Sequence, residues 1–343
     1  MTLEPCLVHT DSRLPFLARA LDPEQVARHL RARVGGAASP AAQVVVRAIR
    51  TLRYKPGRRC LIEYELEVTN RPGASPEMVT LLGKVRRRGA DTTTFSLLQT
   101  LRLRGFHGDS PDGIAVPEPV AIVPELGLWL QRKVAGTPAT ARLLEPGGAA
   151  LARRLAEAAH KLHQAAVPAT RRHSMADELR ILHRCLDALA EQRAEWAPRL
   201  EGLLRACDRV GAVTPAHRPD GIHRDFYPDH ALVDGKWLRL LDFDLYCEGD
   251  PALDIGNCIG HITEQSLRVC GDPCALADRE AAMEERFVEL AGEAARPAVR
   301  AYAVLTLARH IYISAQLEER RPFTATLLEL CEQRLGSAGR TLS

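Results

Sequence analysis

Residues 222–233, IHRDFYPDHALV, place a histidine, an arginine and an aspartate before an aromatic pair, with a second acid and His230 closing the run. A little further on, LLDFD (240–244) adds Asp242 and Asp244. Between them lies an apolar stretch interrupted by Asp-Gly, the strongest short-range signal for a β-hairpin. Antiparallel pairing about Asp234-Gly235 brings the two ends together, so Asp225, His230, Asp242 and Asp244 are expected at one edge. Carboxylates gathered beside an imidazole are costly unless a cation neutralises them. A divalent metal acting with phosphate oxygens is the economical chemistry for such a set. Surface turns also favour Asp, but three acids flanking one short hairpin among apolar strand residues fit that reading poorly.

The elements that must position this set follow from the patterning. DPEQ (22–25) offers an N-cap Asp and a first-turn Pro for a helix within 15–34. AQVVVRAIRTLRY and CLIEYELEV flank the turn KPGRR and read as a hairpin; MVTLLGKVR is a third strand, ending in Lys84. Residues 92–104 carry Phe95, Leu98 and Leu101 at helical spacing. GIAVPEPVAIVPELGLWLQRKVAG supplies two more strands joined at Pro-Glu-Leu-Gly, and RKVAGTPA reads as a linker. Beyond residue 140 the pattern turns helical: 148–167 has an amphipathic stripe through Leu151, Leu155 and Leu162. Two helices follow, parted near Pro198, and others cover ADREAAMEERFVELAGEA and PAVRAYAVLTLARHIYISAQLEE. The 231–244 hairpin is the one island of strand expected there. The fold class is α+β: a five-stranded antiparallel sheet with one crossing helix over 1–132, then a mainly helical lobe over 133–343.

Composition narrows the partners. The 343 residues carry a net charge of +3, 46% hydrophobic and 26% charged residues, ordinary globular values. The densest basic run, KVRRR (84–88), reads as a solvated strand end. With no zinc-finger spacing and no aromatic-basic interleaving, no nucleic-acid partner is expected. Nine scattered cysteines, an odd number, suggest reduced thiols and a cytoplasmic protein. The N-terminus lacks the unbroken apolar core of a signal peptide, and no segment has the length of a membrane span.

HRDFYPDH, LLDFD and GDPALDIGN together resemble the aminoglycoside phosphotransferase and choline kinase-like family, small-molecule relatives of the protein kinases. The strand-helix order supports the same resemblance across most of the chain, and it implies a bilobal kinase-like fold. It implies ATP or GTP as phosphate donor, Mg²⁺ or Mn²⁺, and a small-molecule hydroxyl as acceptor. On that resemblance Asp225 is the catalytic base, with His223 and Arg224 in the same loop and His223 mainly structural. Asp242 is the principal metal ligand, with His230 and Asp244 beside it; Asp250 and Asp254 brace the loop and cap the next helix. Lys84 matches the lysine that pairs with the α/β-phosphates. Arg58 lies in the nucleotide-covering turn, Gln99 is the polar residue nearest to a partner for Lys84, and the backbone at Gln131 and Val134 corresponds to the adenine-binding hinge. His163, in KLHQ, reads as a packing residue.

Three departures stand against the family pattern. His230 occupies the place of an amide ligand, although Mg²⁺ prefers oxygen and imidazole suits softer metals. Arg224 stands where the antibiotic kinases commonly have Gly. The helix 92–104 has no Glu to pair with Lys84. Two functions follow: a kinase for a metabolite, sugar or aminoglycoside-like hydroxyl, or a pseudokinase that keeps the fold as a nucleotide-binding or interaction module. The acids of DELR, EQRAEWAPRLEG and MEERFVELAGE alternate with arginines and read as solvated helix faces.

Overall fold

A computed structural model of the protein describes residues 11–34, 43–69 and 74–341. The chain forms two compact units, Met1–Ala135 and Gly136–Ser343. The eight cysteines among the described residues are all free thiols.

In the first unit, helices α1 (Leu17–Ala20) and α2 (Pro23–Val34) precede a sheet of β1 (Gln43–Lys55), β2 (Arg59–Thr69) and β3 (Glu77–Arg86). Helix α3 (Thr92–Leu103) follows, then β4 (Pro119–Val123) and β5 (Leu128–Arg132), giving the order β1-β2-β3-β5-β4. The predicted N-cap holds: the Asp22 carboxylate accepts from the backbone N–H groups of Glu24 and Gln25. Alternation along the strands sends Ile62, Tyr64, Leu81 and Val85 into one core with Leu17, Val26 and Leu30, and Tyr64 ties the layers by donating to the Ala20 carbonyl at 2.9 Å. The N-terminal helices therefore cover one face of the sheet. On the other face Phe95 of α3 meets Trp129 edge-on at 6.0 Å. Strand β3 extends to Arg86, two residues beyond the Lys84 end expected from its apolar run.

In the second unit the helices are α4 (Ala139–Arg142), α5 (Gly148–Gln164), α6 (Met175–Gln192), α7 (Ala197–Val213), α8 (Ala252–Cys270), α9 (Ala277–Ala291), α10 (Arg296–Gln316) and α11 (Thr324–Thr341). Pro198 sits in the first turn of α7, where its missing N–H costs nothing, so the break falls before it. The expectation of a single strand island is corrected. Besides the hairpin of Ala231–Asp234 with Trp237–Leu240, short strands at Arg172–His173, Asp220–Ile222 and Cys247–Gly249 form a second ribbon. These two- and three-residue strands are too short for any periodicity to show. The hairpin turn is also shifted by one residue: Asp234 pairs with Trp237, so Gly235-Lys236 is the loop, with Gly235 at φ +56°.

Helices α8 and α10 form the spine of the unit. A Cβ at Gly256 would come within 2.5 Å of the Tyr302 Cβ, and one at Gly260 within 2.7 Å of the Thr306 side chain. The two glycines let the helix backbones approach closely, and this sets the positions of every residue that α8 and α10 contribute to the site.

Candidate active site

The loop 223–230 leaves strand Asp220–Ile222, which pairs antiparallel with Cys247–Gly249. Its conformation is held from behind by α8. The fully buried Asp254 carboxylate accepts from the backbone N–H of His223 at 2.9 Å and of Arg224 at 2.7 Å, and from His163 Nε2 at 2.9 Å. One turn later the Asn257 side chain donates to the Phe226 carbonyl at 3.0 Å and accepts from Arg309 at 2.7 Å. Charge-assisted bonds to backbone N–H groups are among the stronger fixtures available to a loop. Asp250 caps the start of the same helix by accepting from the Ala252 N–H at 2.9 Å. His163 packs edge-on against Phe287, as its reading as a packing residue expects, and also bonds to Asp254.

Two residues of the site take left-handed backbone that non-glycine residues rarely adopt: Arg224 at φ +68° and Asp242 at φ +58°. Each such residue costs roughly 1–2 kcal/mol, and the surrounding bonds hold both in place. His223 is fully buried, donates through Nε2 to the Leu241 carbonyl at 2.8 Å and lies 4.7 Å from the Phe243 ring. It therefore links the loop to the hairpin exit, while its Nδ1 is buried without a partner among the described residues.

His230 stands between the two principal acids. Its Nδ1 lies 2.8 Å from the Asp225 carbonyl oxygen and 3.7 Å from Asp225 Oδ2; its Nε2 lies 3.8 Å from Asp242 Oδ2. Burial pulls the imidazole below its usual range, with nearby His223 adding to the shift. The ring is thus neutral near pH 7, with its proton on Nδ1 facing an oxygen that can only accept. Nε2 then points a lone pair at a carboxylate. The two atoms exchange no hydrogen bond at this distance, and a cation between them would suit both. Two ligands, each about 2.1 Å from one ion, stand roughly 3–4 Å apart, so the donor pair fits a divalent metal. Asp244 follows in the single turn Phe243–Leu245, with its carbonyl accepting from Arg171 at 2.8 Å. Among the described residues no three His, Cys, Asp or Glu side chains gather closely enough to form a cation site by themselves. A metal held here would complete its shell from phosphate and water, the common arrangement for Mg²⁺.

Beside Asp225, within the helical unit, opens a cavity of about 340 Å³. Loop residues Asp225, Tyr227 and Asp229 line it together with His261 and Gln265 of α8 and His310 of α10. Burial drives His261 well below its usual value and His310 down to about 3, so both rings are neutral. Glu178, from the DELR segment read as a solvated face, lines the same cavity and is buried. Burial raises its carboxyl, but a 2.6 Å bond to His173 and the charge of Arg309 more than reverse this and leave it below the carboxylate range. Sequence reasoning missed it because its partners lie in other elements.

In the first unit, Lys84 is half-buried on the face of β3 opposite the Leu81 and Val85 core, the face that also carries Trp129 and α3. Gln99 is exposed on α3, while Asp91 caps that helix and pairs with Arg86 at 3.3 Å. The acid buried on the Lys84 face is Glu63 of β2, which pairs with Lys133 and Arg50; its bond to Lys133, chiefly, holds its carboxyl below the usual range. Its signal in the sequence was a charged residue in mid-strand. Arg58 is exposed at the β1–β2 turn, Gln131 pairs with Leu82 on β3, and Val134 follows the end of β5.

Residues 96–302 match the phosphotransferase enzyme family, and the chain belongs to it. Solved structures agree on the fold. A choline/ethanolamine kinase family protein from Mesorhizobium loti superposes with a TM-score of 0.56 at 14% identity, covering 92% of this chain and 95% of that one. A thermostable mutant of the aminoglycoside phosphotransferase APH(4)-Ia, in ternary complex with AMP-PNP and hygromycin B, superposes with a TM-score of 0.56 at 15% identity, covering 91% of this chain and 98% of that one. No curated protein matches the sequence. The fold is thus α+β and kinase-like, as the sequence motifs led one to expect. Among the described residues no helix is long and apolar enough to cross a membrane.

Proposed function

We propose that the protein transfers the γ-phosphate of ATP, or of GTP, to a hydroxyl of a small molecule, with Asp225 as the base. The observation that carries this is the set Asp225–His230–Asp242, in which the loop bearing Asp225 is braced through the His223 and Arg224 backbone by the buried Asp254 carboxylate. Phosphoryl transfer asks the protein mainly for positioning and charge stabilisation. Asp225 keeps its carboxylate about one-third exposed, open to a hydroxyl arriving in the cavity beside it. It orients that hydroxyl and accepts its proton as the oxygen attacks phosphorus. Asp242, with His230 Nε2, would hold a divalent metal, which supplies neutralisation of phosphate charge when bound. In the family resemblance Lys84 pairs with the α/β-phosphates, and the backbone at Gln131 and Val134 meets the base.

One observation favours a second reading, a nucleotide-binding module without turnover: His230 puts a nitrogen where Mg²⁺ prefers oxygen. Comparing Mg²⁺ with Mn²⁺ separates the readings. Wild type is expected to turn over faster with Mn²⁺, and His230→Asn to move the preference toward Mg²⁺. Identical responses would place His230 outside the metal shell. No rise in melting temperature with any nucleotide–metal pair, and no phosphate transfer, would favour the second reading.

A further inference from the structure

The acceptor cavity carries four arginines, Arg224, Arg268, Arg309 and Arg320, against two glutamates outside the catalytic loop, Glu178 and Glu264. Three of the arginines have protein partners. Arg309 donates to Glu178 at 3.1 Å, Arg268 to Glu264 at 3.0 Å, and Arg320 reaches the same Glu264 oxygen at 3.5 Å. Glu264 thus answers two cations; with Asp225 and Asp229 the lining balances four acids against four arginines, and Arg224 is set apart by having no carboxylate of a described residue within hydrogen-bonding distance. The Arg224 guanidinium donates no hydrogen bond to any described residue, although its charge is felt by Glu178.

Arg224 is also strained. At φ +68° a glycine would sit without penalty, whereas a side chain there costs roughly 1–2 kcal/mol. Only its backbone N–H, which any residue provides, serves the brace. Two further cavity residues are incomplete: Gln265 Oε1 and both ring nitrogens of His310 are buried with no partner in the protein. Buried polar atoms left unpaired cost about 1–3 kcal/mol each.

We infer that the acceptor is a hydroxyl compound bearing an anionic group, a carboxylate or a phosphate, received by the Arg224 guanidinium on the arginine-rich wall of the cavity. This rests on the phosphotransferase reading above and names the acceptor class for the same site. A polycation, by contrast, would meet four guanidinium groups and only the two loop acids Asp225 and Asp229 free of arginine partners. Asp229 is itself engaged by the Thr140 hydroxyl.

The test is phosphate transfer from labelled ATP to a small-molecule extract split on anion- and cation-exchange columns. Acceptor activity is expected in the fraction held by the anion exchanger, and phosphatase treatment of that fraction distinguishes phosphate from carboxylate. Arg224→Gly, which relieves the backbone, should raise KM for the active acceptor about 10- to 100-fold with KM for ATP unchanged, and Arg224→Lys should recover part of the loss. Activity held by the cation exchanger or passing through both columns overturns the inference alone, as does an unchanged acceptor KM in Arg224→Gly. Transfer to no fraction strikes the phosphotransferase reading, and this inference with it.

Discussion

Behind and beside the loop 223–230, the helical unit treats two sets of buried polar groups differently. Behind it, Asp254 and Asn257 meet backbone and side-chain partners at 2.7–3.0 Å. Beside it, in the cavity, Gln265 Oε1 and the whole His310 ring are buried and unanswered. Both regions are built from α8 and α10, so the difference does not come from the quality of packing. One region uses its hydrogen bonds to fix a backbone. The other leaves them open, and the brace itself keeps two such atoms, His163 Nδ1 and His223 Nδ1, buried without a partner among the described residues.

The comparison can be broken at three points. Asp254→Ala would leave two loop N–H groups and His163 unanswered and should cost about 3–5 kcal/mol, read as a lower denaturation midpoint. A loss below about 1 kcal/mol would mean that the loop does not depend on the brace. Asn257→Ala removes one bond to the Phe226 carbonyl and one from Arg309, and should cost roughly 1–3 kcal/mol.

His310→Leu should have the smallest effect, and near pH 7 it should be neutral or stabilising. Its signature is in acid. With the folded-state value of His310 depressed to about 3, the unfolded chain takes up this proton below about pH 6.5 while the native state does not. The stability tied to a neutral His310 is therefore present above about pH 6.5 and is lost as pH falls toward 3. The leucine variant should show a flatter melting temperature between pH 7 and 5. An equally steep fall would assign the acid sensitivity to other groups.

These contrasts differ in how far they could be read from sequence. The loop and its hairpin were legible because chemistry-bearing residues and an Asp-Gly signal lie within about two dozen positions, so local pairing alone brings Asp225, His230 and Asp242 together. The five-stranded sheet was legible from alternation and Pro-Gly punctuation. The brace was visible only through the resemblance of GDPALDIGN to a known motif, since nothing local ties Asp254 to His223, 31 residues away. The cavity was not legible. Glu178 and Arg309 are 131 residues apart, and α10, buried over more than half its length, lacks the amphipathic stripe that marks a surface helix. Gln99 is exposed on α3, and the buried acid on the Lys84 sheet face, Glu63, comes from a neighbouring strand, where only a charged residue in mid-strand signalled it.

The central claim is that Asp225 is a working base at a phosphotransfer site. Steady-state transfer of labelled phosphate from ATP to an acceptor, in wild type and Asp225→Asn, tests it most directly. The side chain is half-buried and carries no part of the brace, so the variant should fold, bind ATP as before and lose roughly 10²- to 10⁴-fold in kcat. Turnover unchanged by the substitution would contradict the account.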